Sequence, residues 1–270
     1  MATAPASGQE GRSGGARGGG AATPAGPIPR TPDGKPDLTG TWLGRGPVRA
    51  HTFILEEHPG AFGIQAGRSL IIDPPDGKIP YQPWALAERD RRREPPNGYE
   101  DPSGHCELDD LGRLHTDPQE FVYSGNNIVI YASGTTVRVI DMTRRQHLPD
   151  GIRLWLGDPI GRWEGDTLVV DSTNFNGKPR MAIGGDFYGP NARVVERFTM
   201  VNSDTITWTM TITDPDVFTR PWTMTSAAPM TRQRDDRDFD TEDTCHEGNL
   251  FLVHLKNVYE QTHGTVPARK

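Results

Sequence analysis

Histidine and arginine residues with the chemistry for proton transfer occur in two separated places. His147 follows Arg138 and Arg145 in "RVIDMTRRQH", and His246 precedes Glu247 near the end of the chain. A histidine titrates near neutral pH, a carboxylate can orient it, and an arginine stabilises a developing anion. The set predicts acid–base catalysis, with His147 and His246 as proton-transfer groups and Glu247 orienting His246. Arg138 or Arg145 would hold the anion.

A structural interpretation of the same residues stands beside the catalytic one. In it His147 caps backbone groups in a loop, and Arg138 pairs with a carboxylate on a neighbouring strand. Glu196 shares the strand face of Val194 and Phe198, so it is predicted to point inward, where an arginine such as Arg138 can pair with it. Buried ion pairs of this kind are often structural.

No metal site is expected. His246-Glu247 begins like the zinc motif HExxH, but Leu250 stands where the second histidine is required. His254 lies two helical turns beyond His246, roughly 12 Å by helical rise, which is too far for one ion. A site assembled from distant segments, such as His246 with His147 or His105, stays open as an alternative.

The two cysteines, Cys106 and Cys245, have no CxxC zinc spacing. In an exported protein they predict one disulfide that closes a loop of about 140 residues. In a cytosolic protein they are two unrelated thiols.

Composition and motifs exclude several classes of function. The net charge of −7 does not provide the positive charge that nucleic-acid binding requires. No apolar run is long enough for a membrane span. The GxGxxG and GxxxxGK[ST] phosphate-binding motifs do not occur, and neither does the GxSxG nucleophile motif. We therefore expect no cofactor, and the sequence indicates no particular oligomeric state.

The remaining pattern is that of an all-β fold. Thirty-one glycines and 24 prolines favour many short strands joined by turns. "EFVYSGNNIVIYASGTTVRVIDM" predicts three strands, Gly165-Asp166 predicts a hairpin, and threonine alternates with apolar residues over 205–213. About nine or ten consecutive strands favour an antiparallel up-and-down barrel of about 8–10 strands, with one or two short peripheral helices. A two-sheet sandwich is the alternative.

The domain boundaries follow from composition. Residues 1–29 are rich in Gly, Ala and Pro and predict a disordered lead. Residues 30–262 predict a single barrel domain, and residues 263–270 a flexible tail. The lead is typical of the segment that follows a cleaved signal peptide, so we expect an exported protein whose signal peptide is not part of this sequence.

Four segments resemble a widespread group of mostly exported bacterial proteins that is abundant in acidobacteria: "RTPDGKPDLTGTW", "GDPIGRWEGDTLVVDSTNFN", "ERFTMVNSDTITWTMTITDPDVFTRPWT" and "CHEGN". "GRWEGDTLVVD" is also similar to hairpins of lipocalin-like (calycin) barrels, which implies that fold. Thr143 and Arg144 replace an Asp-Gly turn found in relatives, so a role tied to that aspartate does not carry over.

A barrel of this size can hold one small ligand. Tyr81 and Trp84 lie in a Pro-rich crossing suited to cover the barrel mouth, and Glu196, Asn174 and Trp222 are the other candidates for ligand contact. The favoured hypothesis is a cofactor-free lyase, isomerase or hydrolase acting on a small oxygenated molecule such as a sugar or phenolic. A non-catalytic carrier of lipocalin type is the alternative, and a structural envelope protein the second alternative.

Overall fold

The segment in which threonine alternates with apolar residues is a strand, as its period of two predicts. Ile206 and Trp208 are buried, whereas Thr207 and Thr213 are exposed. The hairpin predicted at Gly165-Asp166 is also present, with Gly165 at φ 59°, a conformation that glycine adopts without steric cost. The structure is a computed structural model, and it describes residues 25–44, 54–60, 66–114, 118–132, 136–234 and 250–266.

Eleven strands occur in the described part of the chain. They are β1 (Gly40–Leu43), β2 (Ile71–Asp73), β3 (Gln119–Ser124), β4 (Asn127–Ala132), β5 (Val137–Asp141), β6 (Asp158–Glu164), β7 (Thr167–Thr173), β8 (Arg193–Asn202), β9 (Thr205–Thr213), β10 (Trp222–Thr225) and β11 (Met230–Gln233).

Nine of these strands close into a barrel. The order is β11-β1-β3-β4-β5-β6-β7-β8-β9, and β9 pairs back onto β11 through Met230↔Ile206 and Thr231↔Thr205. Beyond β11 the same edge of β9 pairs with β10, which in turn pairs with β2. The prediction of an all-β barrel is therefore confirmed.

One pair departs from the antiparallel pattern. β5 and β6 run parallel and are registered through the single pair Asp141↔Ile160. The chain between them, residues 142–157, crosses back over the outside of the barrel instead of making a hairpin. This crossing carries Arg145 and His147.

The helices lie around the barrel. They are α1 (Pro83–Arg93), α2 (Leu111–Leu114) and α3 (Leu250–His263), with 3₁₀ turns at Pro95–Glu100 and Pro102–His105. α1 falls where the good helix formers between Pro83 and Pro95 predict a helix, and Pro83 occupies its first turn, where a missing N–H costs nothing. In the described residues no helix is long and apolar enough to cross a membrane.

Large side chains fill the barrel interior. Trp42, Trp208, Phe121 and Phe198 are each less than 2% exposed, and the rings of Phe121 and Phe198 meet edge to face at 5.4 Å. Aromatic rings of this size contribute much of the apolar burial in a core. Space for a ligand is therefore to be sought where loops and helices meet the barrel.

Candidate functional site

Arg138 and Glu196 form an ion pair inside the barrel. Arg138 Nη1 and Nη2 lie 3.2 and 2.5 Å from the two carboxylate oxygens of Glu196, and Trp208 Nε1 donates to Glu196 Oε1 at 3.2 Å. Arg138 is 4% exposed and Glu196 2%. The ion pair expected from strand parity is present, and it occupies the guanidinium that was a candidate for holding a substrate anion.

Trp222, a candidate for ligand contact, is also interior. It is fully buried on β10, with its ring 5.5 Å from that of Phe218. Trp222 Nε1 and Ser172 Oγ have no hydrogen-bond partner in the described part of the chain. The three interior candidates, Arg138, Glu196 and Trp222, thus contact the core rather than a groove.

His147 lies on the outer side of the sheet, between two aspartates. Its Nδ1 is 3.0 Å from the backbone oxygen of Asp158 and 3.2 Å from Asp158 Oδ2, and its Nε2 is 3.6 Å from Asp171 Oδ1. Asp171 alternates along β7 with the core residues Val170 and Ser172, so its side chain points away from the barrel interior. Because both neighbours of Nδ1 are acceptors, Nδ1 is the donor in this arrangement.

Arginines hold both aspartates in their ionised form. Burial acts to raise the pKa of Asp158, but hydrogen bonds from Arg144 and from the Leu148 N–H outweigh it, and the pKa is lowered. At Asp171, burial is likewise outweighed by the Arg193 guanidinium, and the pKa is lowered. The arrangement is an aspartate–histidine pair beside a second carboxylate, which is suited to proton transfer at the surface.

Asn174 and Arg145 support and flank this cluster. The Asn174 amide lies within 3.2 Å of the backbone oxygens of Leu148, Pro149 and Ile152. It therefore anchors the crossing just after His147 and is not directed at a ligand. Arg145 is exposed, and its Nη1 donates to the backbone oxygens of the crossing at 3.0 and 2.8 Å.

Tyr81 and Trp84 lie at the start of α1, but their side chains have different environments. Trp84 is 56% exposed, and its Nε1 donates to the Asp216 backbone oxygen at 3.0 Å. Tyr81 is buried and donates its hydroxyl to Asp186 Oδ1 at 3.1 Å. Tyr81 therefore belongs to the protein interior beneath α1, whereas Trp84 faces a groove.

This α1 groove has a volume of about 680 Å³. Its lining comes from α1 and from the loops at 187–191 and 216–217, and includes Trp84, Glu88, Arg92, Phe187, Asn191 and Asp216. The Trp84 and Phe187 rings lie 6.1 Å apart, and the Arg92 guanidinium lies 4.1 Å from the Phe187 ring centroid. The groove thus combines flat apolar surfaces with charged groups.

Asp186, for which no role was predicted, lies next to the groove residue Phe187, and its carboxyl group has a raised pKa. It is fully buried, and Arg89 Nη1 lies 3.6 Å from its Oδ1. Burial raises its pKa from 3.8 to about 6, although Arg89 and Arg93 act in the opposite direction. Its only sequence signal is a carboxylate placed between Gly185 and the aromatic pair Phe187-Tyr188.

Cys245, His246 and Glu247 lie outside the described residues. The Cys106–Cys245 disulfide therefore stays a prediction, and so do the catalytic roles of His246 and Glu247. α3, which follows them, packs against the 3₁₀ turns that lead to Cys106, with the Tyr259 and Tyr99 rings 5.6 Å apart. His105 Nε2 lies 2.6 Å from the Tyr99 backbone oxygen.

In the described ranges no group of three or more His, Cys, Asp or Glu side chains is arranged to hold a metal ion. The chain as a whole matches no protein-family model, no curated protein and no solved structure.

Proposed function

We propose that this protein binds a small oxygenated ring compound, of the sugar or phenolic class, in the α1 groove. The observation that carries the proposal is the position of Trp84. Tryptophan side chains are mostly buried on average, so a tryptophan that is more than half exposed, as Trp84 is, is unusual. Here it forms one wall of a groove large enough for a small ligand.

The Trp84 indole is held in place before any ligand arrives. Trp84 is in the first turn of α1, and its Nε1 bond to the Asp216 backbone oxygen ties the ring to the opposite loop. A ring already ordered loses little conformational entropy on binding. Its exposed face offers a flat apolar surface of the kind against which sugar and phenol rings pack.

Polar groups of both signs surround this surface. Glu88 accepts hydrogen bonds from Arg91 and Arg92 at 2.7 to 3.0 Å, and Asn191 donates to Asp216 Oδ2 at 3.0 Å. Hydroxyl groups both donate and accept, so a rim of carboxylate, guanidinium and amide groups suits a ligand with several hydroxyls.

Trp84→Ala is the variant that tests this proposal. We expect calorimetric titration with a panel of monosaccharides and phenols to identify a ligand of the wild-type protein, and Trp84→Ala to bind it at least about 10-fold more weakly, about 1.4 kcal/mol. Trp84→Phe, which keeps a ring, should recover part of the affinity. Val201→Ala, at an exposed site on β8, is the matched control and should bind as wild type does. Equal affinity of Trp84→Ala and wild type would rule out the groove as the site.

Acid–base catalysis is the second candidate function, and the His147 cluster favours it. The Asp158–His147 pair supplies an oriented imidazole, with Arg145 on the same crossing. In this proposal His147 and His246 transfer protons, Glu247 orients His246, and Arg145 holds the developing anion. Arg138 has no part in it because Glu196 occupies its guanidinium.

His147→Ala tests the catalytic candidate. If an activity is found by screening small oxygenated substrates, kcat should fall by at least about 100-fold in His147→Ala, while the far-ultraviolet circular dichroism of the barrel is unchanged. His246→Ala should produce a comparable loss. A kcat retained in both variants would remove the acid–base proposal and leave binding in the α1 groove unaffected.

A further inference from the structure

Among the barrel strands that the structure describes, β5 and β6 share the fewest registered residue pairs. This join contains one registered pair, whereas β6 and β7 share seven. Gly161 of β6 permits the close packing there, since a Cβ at this position would lie 2.3 Å from Met142 Sδ and 2.8 Å from Ile140 Cγ2. Past this contact no further β5–β6 pair is registered in the described chain, and a pocket lies beside the join.

We call this the seam pocket, and its volume is about 620 Å³. One side comes from the turn at 125–128 and the crossing at 142–145, the other from Arg162 and Trp163 of β6, and a third from residues 31–35. Trp163 and Tyr123 contribute aromatic surface, and the buried Ile128 contributes apolar surface. The pocket is therefore built from segments on both sides of the join.

The charge of the seam pocket is opposite to that of the whole protein. Lys35, Arg145 and Arg162 line it, and Asp33 is the one acidic residue among its lining residues. Three cations and one anion leave a formal charge of +2, on a chain whose net charge is −7. Positive charge concentrated in one concave site of an acidic protein attracts anions selectively.

Arg145 is the cation best placed to receive a ligand. In the described part of the chain no carboxylate lies within 4 Å of it, and its hydrogen bonds are made by Nη1 alone, to two backbone oxygens. Arg162, by contrast, pairs with Glu164, which also pairs with Arg197. A guanidinium with free donors in a fixed fork matches a carboxylate in a bidentate geometry.

We infer that the seam pocket binds a small organic anion with a flat ring, of the aromatic-carboxylate class. The carboxylate contacts Arg145 and Lys35, and the ring packs against Trp163 and Tyr123. This site is separate from the α1 groove, which is lined by different residues throughout. The inference therefore does not depend on the function proposed for that groove.

The test uses 4-hydroxybenzoate as the probe, with phenol as a ring that lacks the carboxylate and inorganic phosphate as an anion that lacks a ring. Calorimetry on the full chain should show 4-hydroxybenzoate binding to wild type, weakening as salt is raised, with phenol and phosphate each at least about 10-fold weaker. Arg145→Gln should weaken 4-hydroxybenzoate binding by at least about 10-fold. Arg220→Gln, at an exposed arginine on a different loop, is the matched control and should bind as wild type does, and so should Trp84→Ala.

Three results would overturn the inference. One is equal affinity of Arg145→Gln and wild type for 4-hydroxybenzoate. Another is phosphate binding as tightly as 4-hydroxybenzoate, which would indicate a site for charge alone. The third is loss of 4-hydroxybenzoate binding in Trp84→Ala, which would assign the probe to the α1 groove.

Discussion

The Arg138→Ala variant is expected to lose about 3–5 kcal/mol of unfolding free energy. The change leaves the Glu196 carboxyl group in the barrel interior, 2% exposed, without its guanidinium partner and with Trp208 Nε1 as a hydrogen-bond donor. A loss of this size is a large part of the total stability of an ordinary domain, about 5–15 kcal/mol. Urea denaturation at pH 7, followed by tryptophan fluorescence, measures it.

Two control variants separate the ion pair from simple loss of a side chain. The double variant Arg138→Met with Glu196→Leu removes both charges and should lie within about 1–2 kcal/mol of wild type, on either side, because no buried charge is left unpaired. Arg197→Ala, next to Glu196 on β8, removes an exposed ion pair with Glu164 of β6 and should cost less than about 1 kcal/mol. A double variant as unstable as Arg138→Ala would contradict this account.

Asp186→Asn is expected to increase stability at pH 7 by up to about 3 kcal/mol. Burial raises the pKa of Asp186 from 3.8 to about 6, so folding takes up a proton at this carboxyl group between those pH values. Its contribution to stability is greatest below pH 4 and is lost as the pH rises through 6, and the two limits differ by about 3 kcal/mol. Asparagine keeps a neutral oxygen for the Tyr81 hydroxyl at every pH.

The measurement is the free energy of unfolding of wild type and Asp186→Asn at several pH values between 4 and 7. The difference between the two proteins should grow across this range, since wild type alone carries the titration of Asp186. Asp110 and Asp214 also have a pKa raised by burial, but they are present in both proteins and cancel in the difference. A difference that stays constant with pH would show that Asp186 is ionised throughout.

Local pattern predicted most of the strands because one buried face makes a period of two visible. The alternation in β9 and the turn at Gly165 depend on neighbouring residues alone, and so does the inward position of Glu196. The β5–β6 join was not predictable in the same way. It depends on a crossing of residues 142–157 that passes over the outside of the barrel.

The contacts of Asp186 and His147 were less predictable because the residues that make them come from distant segments. Tyr81 and Asp186 are 105 residues apart, and Arg89 reaches Glu56 across 33 residues, so no local pattern marks Asp186 as buried. His147 follows a strand in a turn, a position that by itself predicts the barrel rim. The crossing instead places it on the outer face, between Asp158 and Asp171.

A crystal structure of the wild-type protein, grown with the tightest-binding sugar or phenol from the panel, tests the central claim most directly. The predicted result is a ligand ring packed against the Trp84 indole in the α1 groove, with its hydroxyls hydrogen-bonded to groups such as Glu88 and Asn191. A ligand bound inside the barrel or in the seam pocket, with no density beside Trp84, would contradict the claim.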